Sequence, residues 1–172
     1  ANTAFDQDVS VLNPANMDTA NFTYNSFNSL FNSCSSFQGT GCNTWDVSAV
    51  KQFDSMFARC DVFNADISNW DITGTHYYTG QQPWQNMGLN GTIAGMLSDC
   101  PAFDRDLSNW DVSDTPNISN FMNGTTKLSQ TNYDNILISF ASQLPMDEAL
   151  SVLSGQPPVP GVVGAYAPAN YW

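Results

Sequence analysis

Apolar residues fall at three- and four-residue spacings along this chain, and the pattern restarts several times. Val50, Phe53, Met56, Phe57 and Cys60 make one stripe at the spacing of a short helix. Behind it Val62, Phe63, Ile67, Trp70 and Ile72, set among Asn, Asp and Ser, predict a short extended segment. Pro116 opens a weaker helical stripe with Ile118, Phe121 and Met122. Ile136, Leu137, Ile138 and Phe140 then predict an amphipathic helix over 131–142, with Thr131 as its N-cap. A further short helix is predicted from Asp147 to Leu153, ended by Gly155. Beyond it Pro157, Pro158, Pro160, Gly161 and Gly164 break any regular element.

The restarts are internal repeats. Phe63 to Ile72 (FNADISNWDI) and Phe103 to Val112 (FDRDLSNWDV) match nearly residue for residue. A third copy runs from Phe37 to Trp45, Asp46 and Val47 with one extra residue, and a degenerate one begins at Phe5, with Leu12 where the others carry Trp. Upstream of three of them the same run recurs: Leu30-Phe31-x-x-Cys34, Met56-Phe57-x-x-Cys60 and Met96-Leu97-x-x-Cys100. Phe5, Phe37, Phe63 and Phe103 are 32, 26 and 40 residues apart, so the unit is about 26 residues with insertions near 14–25 and 75–91. One unit cannot bury both of its faces alone. Stacked units would set Phe37, Phe63 and Phe103 in one core column, Trp45, Trp70 and Trp110 in another and Cys34, Cys60 and Cys100 in a third. The expected architecture is a repeat solenoid of about four strand–helix units over 1–143, closed by the helix at 131–142, with a short helix and an extended Pro/Gly-rich tail over 144–172.

The run Met-Phe-x2-Cys-x2-Phe-Asn-x-Asp-Ile-Ser-Asn-Trp-Asp resembles the 26-residue repeat of bacterial surface proteins, known from Listeria lipoproteins and Mycoplasma surface proteins (DUF285-like). That repeat is itself similar to BspA-type leucine-rich repeats. The resemblance covers roughly residues 4 to 143. It implies a leucine-rich-repeat-like, right-handed α/β solenoid, a location on a cell surface or in an extracellular or viral protein, and no catalytic residues to carry over.

Charge narrows the partners. The 172 residues hold 4 Lys+Arg against 16 Asp+Glu, for a net charge of -12 and a pI near 4.1. Such a surface repels phosphate backbones and anionic membranes, and no apolar run is long enough to span a bilayer. Nucleic acid and direct membrane insertion are therefore excluded as expectations. With 42% hydrophobic and 13% aromatic residues the chain has enough apolar mass for a core and is not a disordered acidic tail. A start at Ala1 suggests a processed product or a fragment, and the acidity suggests an extracellular or surface-exposed setting.

The candidate chemistry is mostly absorbed by the repeat. Cys34, Cys60 and Cys100 share one position, and Cys42 takes the apolar slot of Val9, Ile67 and Leu107, so buried reduced thiols are expected; a Cys34–Cys60 bridge between neighbouring units is within geometric reach. Asp8, Asp66 and Asp106 form one column and Asp46, Asp71 and Asp111 another, for which donation by turn N–H groups is the expected compensation and calcium bridging the alternative. The sequons at Asn21, Asn90, Asn117 and Asn123 are about as many as chance supplies in this composition. His76 is the sole histidine, no nucleophile, phosphate-loop or metal signature is present, and no cofactor or metal is expected. What the repeat does not absorb is the insertion carrying His76, Tyr77, Tyr78, Gln81, Gln82 and Trp84, and the charge-free tail carrying Tyr166, Tyr171 and Trp172. The tail reads as a strap over the body or as a docking segment. The expectation is a non-catalytic surface module that binds a protein or glycan through Tyr77, Tyr78 and Trp84. The alternative is a structural subunit of a virion, surface layer or multiprotein complex that docks through Tyr166, Tyr171 and Trp172.

Overall fold

The computed structural model describes residues 3–16, 26–75, 92–113, 115 and 117–144. Each repeat has two halves. The first half occupies 27–34, 53–60, 93–100 and 118–125, and every one of these segments is a ribbon of overlapping turns. Numbering each from its first apolar residue (Phe27, Phe53, Ile93, Ile118) as position 0, the N–H groups at +3 and +5 donate to the carbonyls three residues back, as Met56 does to Phe53 and Ala58 to Ser55. In three of the four ribbons +7 does the same, as Cys60 does to Phe57.

The alternate N–H groups leave the ribbon altogether. Those at 0, +2, +4 and +6 donate to the next repeat: Phe53, Ser55, Phe57 and Arg59 bond the carbonyls of Thr92, Ala94, Met96 and Ser98. The same four bonds, at 2.7–3.1 Å, join each of the three junctions in one register. Positions +2 and +6 are left-handed in every ribbon: Ser29 and Ser33, Ser55 and Arg59, Gly95 and Asp99, Asn120 and Gly124, with φ between 54° and 77°. A side-chain-bearing residue held there costs on the order of 1–2 kcal/mol. In the first three ribbons the inter-repeat bond made by that same residue offsets part of the cost.

This geometry corrects the expected strand–helix solenoid. Among the described residues there is no sheet, only the isolated parallel bridges Ser26↔Gln52 and Gln52↔Thr92. A left-handed residue at every fourth position prevents a continuous pleat, although the backbone bonds run from repeat to repeat. The helical stripes at 50–60 and 116–122 are corrected too. Apolar residues at 0, +3, +4 and +7 suit a 3.6-residue helix, and they suit a four-residue turn repeat equally well.

The second halves, 37–47, 63–72 and 103–112, hold no regular element beyond the 3-10 turn Cys42–Thr44. Successive Phe rings are adjacent: the centroid distance is 5.4 Å for Phe5–Phe37, 6.1 Å for Phe37–Phe63 and 6.0 Å for Phe63–Phe103. Trp45 and Trp70 stack at 6.1 Å with planes 3° apart.

One α-helix, α1 (Gln130–Gln143), appears among the described residues. Its N-cap is Ser129, which accepts from Asn132 N–H, so the cap lies two residues before Thr131. Ile136, Leu137 and Phe140 enter the core, and the polar residues of α1 bond every second residue of the last second half. Asn132 reaches Asp104, Asn135 reaches Asp106 and Ser139 reaches the Ser108 carbonyl. The Gln143 amide does both jobs of a missing peptide: it accepts from Val112 N–H at 2.7 Å and donates to the Trp110 carbonyl at 3.1 Å.

Candidate functional site

The columned side chains are occupied with holding repeats together. Each Trp donates its indole N–H to the apolar-slot carbonyl of the repeat before it: Trp45 to Val9, Trp70 to Cys42 and Trp110 to Ile67, at 2.9–3.0 Å. Cys60 and Cys100 donate their thiols to the Phe31 and Phe57 carbonyls, each at 3.0 Å, and Thr125 fills the same column with a hydroxyl bond to Leu97. All four cysteines are free and buried, Cys34 and Cys60 included. Burial pushes the Cys42 and Cys60 thiols up to about 12 and raises Cys100 further, so none of these three is a thiolate at neutral pH.

The carboxylates are tied to their own turns. Asp8, Asp46, Asp66, Asp71, Asp106 and Asp111 each accept from the backbone N–H two residues on. At Asp46 and Asp66 the Ser hydroxyl at 2.7 Å leads the causes that hold the carboxyl below its ordinary value; at Asp8 the Ser10 N–H does so. Burial raises Asp104 and Asp106, but the N–H groups of Ser129 and Ser108 and the amides of Asn132 and Asn135 outweigh it, and both end lowered. No cluster of three metal-ligating side chains occurs among the described residues.

Among the described residues an open pocket of about 350 Å³ lies between the repeats of Trp70 and Trp110. Asn69, Asp71, Asn109 and Asp111 supply its polar walls, with Trp70 and Ile72 behind them. It marks a broken ladder. Asn69 donates its amide to the Asn43 carbonyl of the preceding repeat, whereas Asn109, at the matching place, makes no such bond among the described residues. Thr73, on the pocket rim, belongs to the 3-10 turn Thr73–Thr75, which leads directly into the insertion.

Both roots of that insertion are pinned by buried threonines. The Thr75 hydroxyl donates to the Ile72 carbonyl at 2.8 Å and meets the Thr115 hydroxyl at 3.1 Å. The Thr92 hydroxyl bonds Asp54 and lies 3.2 Å from the Asn117 carbonyl. Neither threonine stands out in the sequence. Thr75 and Thr115 do share a column with Val50, each closing a turn onto Ile72, Val112 or Val47. Tyr77, Tyr78 and Trp84, and in the tail Tyr166, Tyr171 and Trp172, lie outside the described residues, as does His76.

The family described as "Mycoplasma protein of unknown function, DUF285" matches residues 1–80 and 83–142. The chain belongs to this family. No curated protein and no solved structure matches it. This DUF285 chain is thus a repeat protein, and the two matched stretches meet within the insertion, between residues 80 and 83. Among its described residues no helix is long and apolar enough to cross a membrane.

Proposed function

We propose that this DUF285 protein is a non-catalytic interaction module that binds a protein or glycan through the aromatic insertion at 76–91 and the pocket at its root. One observation carries the reading. The insertion leaves and rejoins the stack at two pinned threonines, and the four bonds from Phe53, Ser55, Phe57 and Arg59 across it keep the register of the junction before it. The stack does not need those residues to close, and loops that a scaffold does not need are where binding surfaces are carried. Pocket walls of amide and carboxylate beside an indole suit hydroxyl-rich or amide-bearing ligands. The engaged thiols and carboxylates support a non-catalytic role, because each has a structural task. A surface-exposed or extracellular setting fits the acidic charge.

Replacing Tyr77, Tyr78 and Trp84 together by Ala tests it. Capture from a native extract or on a glycan array is expected to be lost, with the thermal midpoint within about 2 °C of the parent. Unchanged capture removes the reading, and a collapsed midpoint shows that the loop is structural.

A further inference from the structure

The junction between the repeats of Trp70 and Trp110 is shut on its core side and open at its rim. Inside, the Trp110 indole N–H reaches the Ile67 carbonyl at 3.0 Å and the Phe63 and Phe103 rings lie 6.0 Å apart, much as at the junction before it. At the rim of that earlier junction the Asn69 amide closes onto the Asn43 carbonyl at 3.3 Å. Asn109 holds the matching place one repeat on, and there it lines the pocket of about 350 Å³. That volume is at the small end of ligand pockets, which run from about 300 to 1,000 Å³. It suits a single chemical unit better than a folded surface.

The walls sort the ligands. Trp70 and Ile72 lie under the pocket but are 3% and 1% exposed, so an entering group meets polar side chains and no open aromatic face. Two of these side chains are carboxylates held by their own turns. Asp71 Oδ1 accepts from the Thr73 N–H and hydroxyl at 3.0 and 2.6 Å, and Asp111 Oδ1 from those of Ser113 at 3.1 and 2.7 Å. Groups fixed before a ligand arrives save it the cost of ordering them. Asn69 spends an amide hydrogen on Asn43 and keeps its oxygen as an acceptor, while the Asn109 amide brings both donors and an acceptor. A matching ligand therefore needs several donors and at least one acceptor in a small space. Hydroxyl groups supply both from one atom, and adjacent ring hydroxyls supply them in pairs. A Lys or Arg side chain of a protein partner has donors only, and an ion pair on so exposed a rim is weak. Acidic sugars are repelled by Asp71 and Asp111 on a chain of net charge -12.

We propose that this pocket takes a neutral sugar unit of a glycan chain, held through adjacent hydroxyls by the Asp71 carboxylate and the Asn109 amide. The proposal rests on the reading of the pocket as part of a binding surface, and it names the ligand class. Because the pocket is open, the rest of the glycan continues outward from it.

The test is an NMR-observed titration of the full chain with the methyl glycosides of glucose, galactose and mannose, whose capped anomeric oxygen imitates a chain. Methyl glucuronide is the charged counterpart. At least one neutral glycoside is expected to shift the side-chain amide signals of Asn69 and Asn109 saturably, and to bind about tenfold more tightly than the glucuronide at low salt. Asn109→Ala is expected to weaken that binding about tenfold with the thermal midpoint unchanged. Asp71→Asn, which keeps an oxygen for the Thr73 turn, is expected to weaken it similarly. Asn43→Ala, in the same column but outside the pocket, is expected to bind as the parent does. Saturation by none of the neutral glycosides overturns the proposal, as does parental binding in Asn109→Ala and Asp71→Asn, or glucuronide binding as tight as neutral binding. A Lys- and Arg-rich peptide that saturates the same signals when no glycoside does assigns the pocket to a protein partner and overturns it too. Capture that is still lost on replacing Tyr77, Tyr78 and Trp84 would leave the interaction-module reading standing in each of these cases, so the two fail separately.

Discussion

The Trp110 indole N–H reaches the Ile67 carbonyl at 3.0 Å from a site 1% exposed, so it joins two repeats inside the core. Trp110→Phe removes that donor and part of the ring volume while the Ile67 carbonyl keeps its bond from Trp70 N–H. A loss of about 2–3 kcal/mol is expected from the urea midpoint; an unchanged midpoint would deny the indole its joining role. The carboxylates give a pH prediction. Asp8, Asp46, Asp66, Asp104 and Asp106 are lowered from 3.8 in the folded chain, so their contribution is present above that value and is lost as pH falls through the folded values. The thermal midpoint is therefore expected to stay level from pH 7 to about 5 and to drop below about 3.8; a midpoint that rises on acidification below 3.8 would contradict this. Asp8, Asp46, Asp66 and Asp106 were legible in the sequence because an Asp followed two residues later by Ser has its acceptor and donors within one turn; Asp104, held by Ser129 and Asn132 at the start of α1, was not. The thiol-to-carbonyl bonds were not, since they depend on how far the preceding repeat lies.

At the scale of elements, the repeat boundaries were readable and the elements inside them were not. The stripe Phe53, Met56, Phe57, Cys60 measures only the distance between apolar residues, which a helix and a ribbon of turns share. The discriminating signal was the small or polar residue recurring at +2, Ser29, Ser55, Gly95 and Asn120, each of which is left-handed in the fold. Position +6 blurred it, since Arg59 is no turn former and is held left-handed beside a bond to the next repeat. The helix α1 was legible from its own periodicity, but its docking through Gln143 was not, because an amide standing in for a peptide group has no sequence signature. Gln143→Ala leaves the Val112 N–H and the Trp110 carbonyl without that partner. A cost of about 1–3 kcal/mol is expected from chemical denaturation, with the largest gain in hydrogen exchange along α1. Exchange unchanged along α1 would mean that its apolar face alone holds it.

For the whole molecule the two halves of each repeat contribute in different proportions. The ribbons carry most of the backbone bonds from one repeat to the next, and the second halves add the Trp and Phe columns that pack on the ribbon rings Phe31 and Phe57. The candidate site lies where the 26-residue repeat is interrupted, at the 40-residue step between Phe63 and Phe103, and that interruption could be counted from the sequence alone. The pocket between Asn69 and Asn109 could not, because it follows from a side-chain bond that fails to form across the longer step.

The central claim is the alternating register of the ribbons, with every second N–H given to the next repeat. Scalar couplings transmitted through hydrogen bonds, measured by NMR on deuterated chain, observe it directly. The account predicts couplings from the nitrogens of Phe53, Ser55, Phe57 and Arg59 to the carbonyl carbons of Thr92, Ala94, Met96 and Ser98, interleaved with couplings from Met56, Ala58 and Cys60 to carbons three residues back. Couplings to carbons four residues back throughout 53–60, or inter-repeat partners displaced by a residue, would contradict it.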